Sequence, residues 1–277
     1  SEPVDIAPML PKEWGVFLPA PGHSLVLKHG KYAGRIVVPG WCNRPDKGTN
    51  FYQSTLILSD DGGRSFRAGG VAMEKSDECM LAELPDGALL MPFYGALHLD
   101  ELSRAGLIRS DDRGETWYHY SVMGLDAARE KNYLEPGVYR TESGRLVGLF
   151  RTQTDYTKPG VDFDDTYLNL HIAVSGDNGK TFGPVQEIEG LWGSSPFHAL
   201  RLQSGRVLVT YGYRRAPYGI RARLCNSELT DLAGAEELIL RDDGPNGDLG
   251  YPNAIQLDNG DILVTYYISG PDGIRTI

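Results

Sequence analysis

Cysteine is scarce and unpatterned in this chain. Cys42, Cys79 and Cys225 are the three copies, and no C-x-x-C occurs. Their spacing suits no zinc site, and an odd count without pattern reads as buried free thiols. Long apolar runs are missing too. No stretch approaches the roughly 18 residues of a membrane helix, so no membrane insertion is expected. A basic excess is also absent. Lys and Arg number 27 against 37 Asp and Glu, a net charge of −10. That disfavours a nucleic-acid partner or an anionic membrane surface. No H-E-x-x-H, P-loop or dinucleotide fingerprint is present, so no metal and no other cofactor is expected. No N-terminal signal pattern is read.

Turn formers, by contrast, are abundant. The 277 residues include 34 Gly, 17 Pro and 15 Tyr, with 41% hydrophobic residues. This suits many short strands around a large all-β core. One short pattern recurs three times, as Ser59-Asp-Asp-Gly-Gly-Arg-Ser-Phe66, Ser110-Asp-Asp-Arg-Gly-Glu-Thr-Trp117 and Ser175-Gly-Asp-Asn-Gly-Lys-Thr-Phe182. All fit S-x-D-x-G-x-x-[F/W]. Asp and Ser side chains bond the backbone of a tight turn, and Gly supplies positive φ. The closing aromatic opens the next strand. The box therefore reads as a hairpin cap rather than a catalytic loop.

A second repeat interleaves with the boxes. Its turns close at Gly30, Gly87, Gly144, Gly205 and Gly260, each between apolar strands such as Arg206-Val-Leu-Val-Thr210. A third strand, the box and a fourth strand follow. One unit is then a four-stranded antiparallel sheet, and units repeated at this period are propeller blades. A β-sandwich would not explain hairpin and box recurring in one order. Ser1–Ile6 resembles Gly183–Ile188, the strand after a box, and Thr276–Ile277 stops inside a strand. The sequence reads as one propeller domain over 1–277, begun in the last strand of a blade whose earlier part is missing.

Polar residues at the starts of apolar inner strands are unlikely packing choices. Glu78, Glu135, His198 and Tyr251 occupy such positions, with His23 as a weaker candidate, and are expected to converge on one mouth of the channel. The ends of the second strands, carrying Trp41, Tyr94, Arg151, Tyr213, Arg214 and Tyr267, are expected on the same side. Arg214, Arg215, Arg221 and Arg223 cluster in one segment. Such a cluster suits either a carboxylate, held by bidentate bonds, or surface ion pairs. Aromatic neighbours suit a sugar ring.

These residues resemble a family. The boxes, the blade repeat, Pro21-Gly-His23 with Val37-Val-Pro39, Asp77-Glu78-Cys79, Arg221-Ala-Arg-Leu224 and Gly250-Tyr251-Pro252 are similar to segments of the sialidase (neuraminidase) superfamily of six-bladed propellers. The resemblance implies a retaining exo-glycosidase that removes a terminal acidic sugar. It implies Tyr251 as nucleophile, Glu78 as general base to it and Arg223 as one of three carboxylate-binding arginines. Sialidases are the Tyr-nucleophile exception among glycosidases, because a neutral hydroxyl is not repelled by the substrate's carboxylate. Another triad arginine is implied at the end of the strand after the catalytic Glu, where Tyr94 stands here. The remaining arginine and the acid/base Asp are implied in a first blade that the sequence lacks. Arg151, Arg214 and Arg215 are candidates to compensate. The resemblance favours a secreted or periplasmic setting and leaves oligomeric state open. Two other readings fit the residues: a glycosidase for a different sugar using His198 and Glu135 as acid and base, and a non-catalytic carbohydrate-binding propeller.

Overall fold

The computed structural model describes residues 4–19, 21–94, 104–128, 130–154, 166–192, 195–270 and 272–277. They form an all-β propeller of antiparallel sheets. The first sheet holds β1 (Phe17–Leu18), β2 (Leu25–Val26), β3 (Ile36–Asn43), β4 (Tyr52–Ser59), β5 (Arg67–Ala68) and β6 (Met73–Glu74). The second holds β7 (Ala82–Glu83), β8 (Leu89–Tyr94), β9 (Arg104–Ser110) and β10 (Tyr118–Leu125). The third holds β11 (Lys131–Arg140), β12 (Leu146–Thr154), β13 (Asn169–Ser175) and β14 (Gln186–Trp192). The fourth holds β15 (His198–Arg201), β16 (Val207–Tyr213), β17 (Tyr218–Cys225) and β18 (Glu237–Gly244). The fifth holds β19 (Leu249–Gln256), β20 (Ile262–Ser269) and β21 (Arg275–Thr276).

The six-bladed expectation is corrected to five sheets among the described residues. Each hairpin repeat makes one sheet. The segment ahead of the first hairpin builds none of its own, because β1 joins the first sheet by pairing with β3. Nor do the first residues form the strand expected of them. Residues 1–3 lie outside the described residues, and 4–6 are in no strand.

The core lies in the seams between sheets. Leu56 and Leu58 of the first sheet pack with Leu89, Met91 and Ile108 of the second. Leu90 and Leu107 pack with Leu146 and Phe150 of the third, and Val147 and Leu149 with Val207 and Val209 of the fourth. The boxes close two of these seams. In the second box, Asp112 Oδ1 accepts from Glu115 N at 3.2 Å and Thr116 N at 2.8 Å, while Ser110 Oγ accepts from Gly114 N at 2.8 Å. Gly114 has φ +97° and touches Leu56 of the preceding sheet. Its carbonyl accepts from Gly70 N at 2.8 Å, so the box is bonded to the neighbouring blade as well as within itself. The third box repeats this. Ser121 of the second sheet donates to Gly179 O, and Phe182 packs into the seam core as Trp117 does one blade earlier.

The fourth sheet has no box. Asn226 Oδ1 caps a different turn by accepting from Glu228 N and Thr230 N. A cavity of about 400 Å³ remains between the third and fourth sheets, lined by Val147, Ile172, Ile188, Leu229 and Leu232. Among the described residues, no helix is long and apolar enough to cross a membrane.

The second box gives a direct test. Asp112→Ala removes the acceptor of two backbone N–H groups and two side-chain hydroxyls. By analogy with loss of a helix cap, it should lower stability by about 1–2 kcal/mol in urea denaturation. An unchanged midpoint would show that the box carries no such role.

Candidate functional site

Two inner strands lose register at one residue each, and the site is built there. β11 shifts against β12 between Leu134 and Gly137, and β19 shifts against β20 between Gly250 and Asn253. The bulged residues are Glu135 and Tyr251, each followed by Pro. Their φ angles are +42° and +53°, in the region that ordinary side chains avoid. Such conformations cost about 1–3 kcal/mol and cluster at functional sites. Each bulge turns its side chain out of the strand's alternation toward the mouth.

There the Tyr251 hydroxyl lies 2.7 Å from Glu78 Oε1 and 2.9 Å from Glu135 Oε1. Glu78 and Tyr251 are half-buried, while Glu135 and Arg151 are buried. Arg151 Nη1 donates to Glu135 Oε1 in a buried ion pair, and Arg151 Nη2 donates to Tyr167 Oη at 3.1 Å. Arg151 stands near the end of β12, the strand after Glu135.

Arg214 approaches from the fourth sheet. Its Nε donates to Leu249 O at 2.8 Å, Nη2 to Tyr267 Oη at 3.0 Å and Nη1 to Tyr167 Oη at 3.3 Å. This approach depends on glycine at two facing positions. A Cβ on Gly212 would lie 2.8 Å from the Gly250 backbone, so side chains there would push β16 and β19 apart. Tyr267 in turn donates to Asp248 Oδ1 at 3.1 Å, and Arg275 pairs with the other oxygen of Asp248. The Tyr251 and Tyr267 rings sit 5.7 Å apart.

The charges in this cluster are set by one another. Burial and the facing Glu135 charge push the Glu78 carboxyl far above the usual carboxylate range. Burial alone would raise Glu135 too. The Arg151 charge, with hydrogen bonds from Glu78 and Arg151, reverses this and holds Glu135 below its ordinary value. Burial and both carboxylates push the Tyr251 phenol up. Burial also raises Asp77, whose side chain bonds Tyr94.

The other sequence candidates separate into three places. Tyr94 is buried beside this cluster, its hydroxyl on Asp77. His198 and His23 pack edge to face, with ring centroids 4.7 Å apart. Ala254 N donates to His198 Nδ1 at 3.2 Å. Burial and His23 hold the His198 imidazole down to about 3, so it is neutral at pH 7 and turned to a structural partner. Arg223 is a correction. Its guanidinium donates to the carbonyls of Leu232, Ala233 and Gly190, in the seam between the third and fourth sheets. It sits on the face of β17 it shares with Arg221, which lies over Tyr213, and its donors are engaged away from Tyr251.

Tyr167 was missed in the sequence reading, although two arginines meet on its hydroxyl. It lies beyond the third sheet's second strand, where no repeat position marks it. Trp192 was missed for a similar reason. It donates to Tyr167 O at 3.1 Å, and Arg215 stacks on it at 4.1 Å. Among the described residues, no group of three His, Cys, Asp or Glu side chains could hold a metal ion.

Two outcomes are expected from this geometry. Arg151→Met leaves Glu135 buried without its partner and should destabilise by about 3–5 kcal/mol, with much of the loss recovered in Glu135→Leu/Arg151→Met. Chemical denaturation of the single and double variants checks this. At the Tyr251 bulge, Tyr251→Gly should melt above Tyr251→Ala, by about 1 kcal/mol, the reverse of the usual strand order. Equal or inverted melting temperatures would remove the strain argument.

The BNR repeat-like domain pattern matches residues 78–264. Mouse Sialidase-2 is 34% identical over 89 residues, which is 31% of this chain and 22% of that protein. A protein of unknown function from Dyadobacter fermentans is 32% identical, with a TM-score of 0.71 over 91% of this chain and 72% of that one. The Penicillium chrysogenum alpha-L-arabinanase complexed with arabinobiose shares the fold, at 18% identity and a TM-score of 0.61, over 93% of this chain and 82% of that one. With most of its length under one repeat pattern and the boxes in place at the seams, the chain belongs to the BNR-repeat superfamily of sialidase-type propellers.

Proposed function

We propose that the cluster around Tyr251 is the active site of a retaining glycoside hydrolase that removes a terminal sugar from a glycan. The observation that carries this reading is a phenol hydroxyl held between two carboxyls, one of them ion-paired to a buried arginine. A tyrosine is a weak nucleophile until a base within hydrogen-bond reach takes its proton. Glu135 fits that role better than Glu78. Arg151 keeps it ionised, and an ionised carboxylate can accept the proton. The resemblance places an arginine at the end of the strand after the catalytic Glu, and Glu135 with Arg151 has that arrangement, while Glu78 is followed by Tyr94.

In the first half-reaction, Tyr251 Oη attacks the anomeric carbon, its proton passes to Glu135, and the bond to the leaving oxygen breaks with its electron pair as that oxygen takes a proton from solvent. In the second, water attacks the same carbon and gives up a proton to solvent, the bond to Oη breaks, and Glu135 returns its proton to Tyr251. Two inversions give net retention.

The sugar in this reading is uncharged. Arg151 is engaged by Glu135, Arg214 by Leu249 O and Tyr267, and Arg223 lies in a distant seam. Tyr94 stands where a further arginine was implied. Relatives with this fold carry the names of a sialidase and an arabinanase, so the fold accommodates both acidic and neutral sugars. An acidic sugar is the second reading, favoured by the convergence of Arg151 and Arg214 on Tyr167 Oη.

Turnover of a panel of neutral and acidic aryl glycosides tests both. Tyr251→Phe and Glu135→Gln should each lose at least about 100-fold in kcat while keeping the wild-type circular dichroism. Full turnover in both variants would sink the proposal. Saturable glycan binding without any product over long incubation would assign the chain to the non-catalytic reading.

A further inference from the structure

Three acidic groups meet at the site, and their protons can be counted. Tyr251 Oη is within hydrogen-bond distance of a carboxyl oxygen of Glu78 and one of Glu135. A phenol carries one proton and donates once, and two carboxylates carry none. One proton cannot serve both contacts, so a carboxyl must hold a second.

The surroundings decide which carboxyl that is. Glu135 is buried and takes Nη1 of Arg151, with the Arg214 charge nearby. A proton on Glu135 would leave Arg151 buried without a counter-charge. The groups facing Glu78 are Glu135, Asp77 and Tyr251. A proton on Glu78 relieves the repulsion between carboxylates and leaves the ion pair intact.

We infer that Glu78 is held as a neutral carboxylic acid that donates a hydrogen bond to Tyr251 Oη, most strongly when that oxygen carries charge. The protonation itself follows from the geometry, and its catalytic meaning rests on the function proposed above. When the Tyr251 proton moves to Glu135, Glu135 loses its charge and is left a weaker acceptor. The Glu78 O–H then has one charged oxygen left to serve, and that is Oη. The same contact supports the phenolate as it leaves in the second half-reaction. No net proton passes from Glu78 in either step. Glu78 is thus a catalytic residue as a donor, and the base role implied for it by resemblance passes to Glu135. A neutral donor aimed at a developing oxyanion stabilises it without adding charge to the site. Burial and the Glu135 charge act on Glu78 in the same sense.

Infrared difference spectroscopy of the full chain at neutral pH reads this without substrate. A protonated-carboxyl C=O band should be present in wild type, absent in Glu78→Gln and retained in Tyr251→Phe. No band separating wild type from Glu78→Gln would overturn the inference. In turnover, Glu78→Gln keeps a neutral N–H donor and should stay within about tenfold of wild type, while Glu78→Leu should fall by about 100-fold or more. A Glu78→Gln variant as impaired as Glu78→Leu would also overturn it. If Tyr251→Phe kept full turnover with the band in place, the nucleophile reading would fail while the protonation of Glu78 stood.

Discussion

The site depends on the buried ion pair between Arg151 and Glu135. Without the guanidinium, a carboxylate at this depth would take a proton and cease to be a base. Without the carboxylate, Arg151 would be a buried charge near the end of β12 with little to offset it. The pair also fixes its neighbours. Its negative charge raises Glu78 and Tyr251, so one carboxyl is ionised and the other neutral within a single cluster. Arg151 and Arg214 meet on Tyr167, which ties the third sheet to the fourth at the same mouth.

Position and chemistry come from different parts of each blade. The boxes lie at the turns after the third strands and bond to the preceding sheet. The reactive groups lie at or beside the inner strands, at bulges that the boxes do not touch. A repeat-domain assignment therefore speaks for the scaffold, and the substrate is decided by a handful of side chains that the repeat leaves free to vary. This is why propellers named for acidic and for neutral sugars can share one fold.

Much of this was legible in the sequence, and the failures have physical causes. The repeated box and the Gly-closed hairpins located the strands closely, because turn chemistry is local. Counting back from the turn glycines brought Glu78, Glu135 and Tyr251 together, since antiparallel hairpins preserve register. The same count could not foresee the bulges. Glu-Pro and Tyr-Pro were visible, but a positive φ before proline runs against the usual preference and is imposed by tertiary packing. Arg223 misled because alternation along β17 puts it with Arg221 on one face, and its three carbonyl partners come from the turn after β17 and from β14 of the neighbouring sheet. The number of sheets was misread because six blades were carried over from the resemblance, whereas β1, ahead of the first hairpin, adds to the first sheet by pairing with β3.

The way the boxes reach backward bears on how the chain acquires its structure as it is made. The first sheet is complete in strands once β6 has emerged, yet Gly70 N finds its acceptor, Gly114 O, only in the second sheet's box, and Leu56 packs against Leu89 and Met91 of that sheet. The second sheet likewise awaits Gly179. At ordinary synthesis rates of about 5–20 residues per second, each blade therefore waits a few seconds for the next before its seam can close. During vectorial synthesis the newest sheet is always the unfinished one, with its apolar seam open to chaperones or to a neighbouring nascent chain.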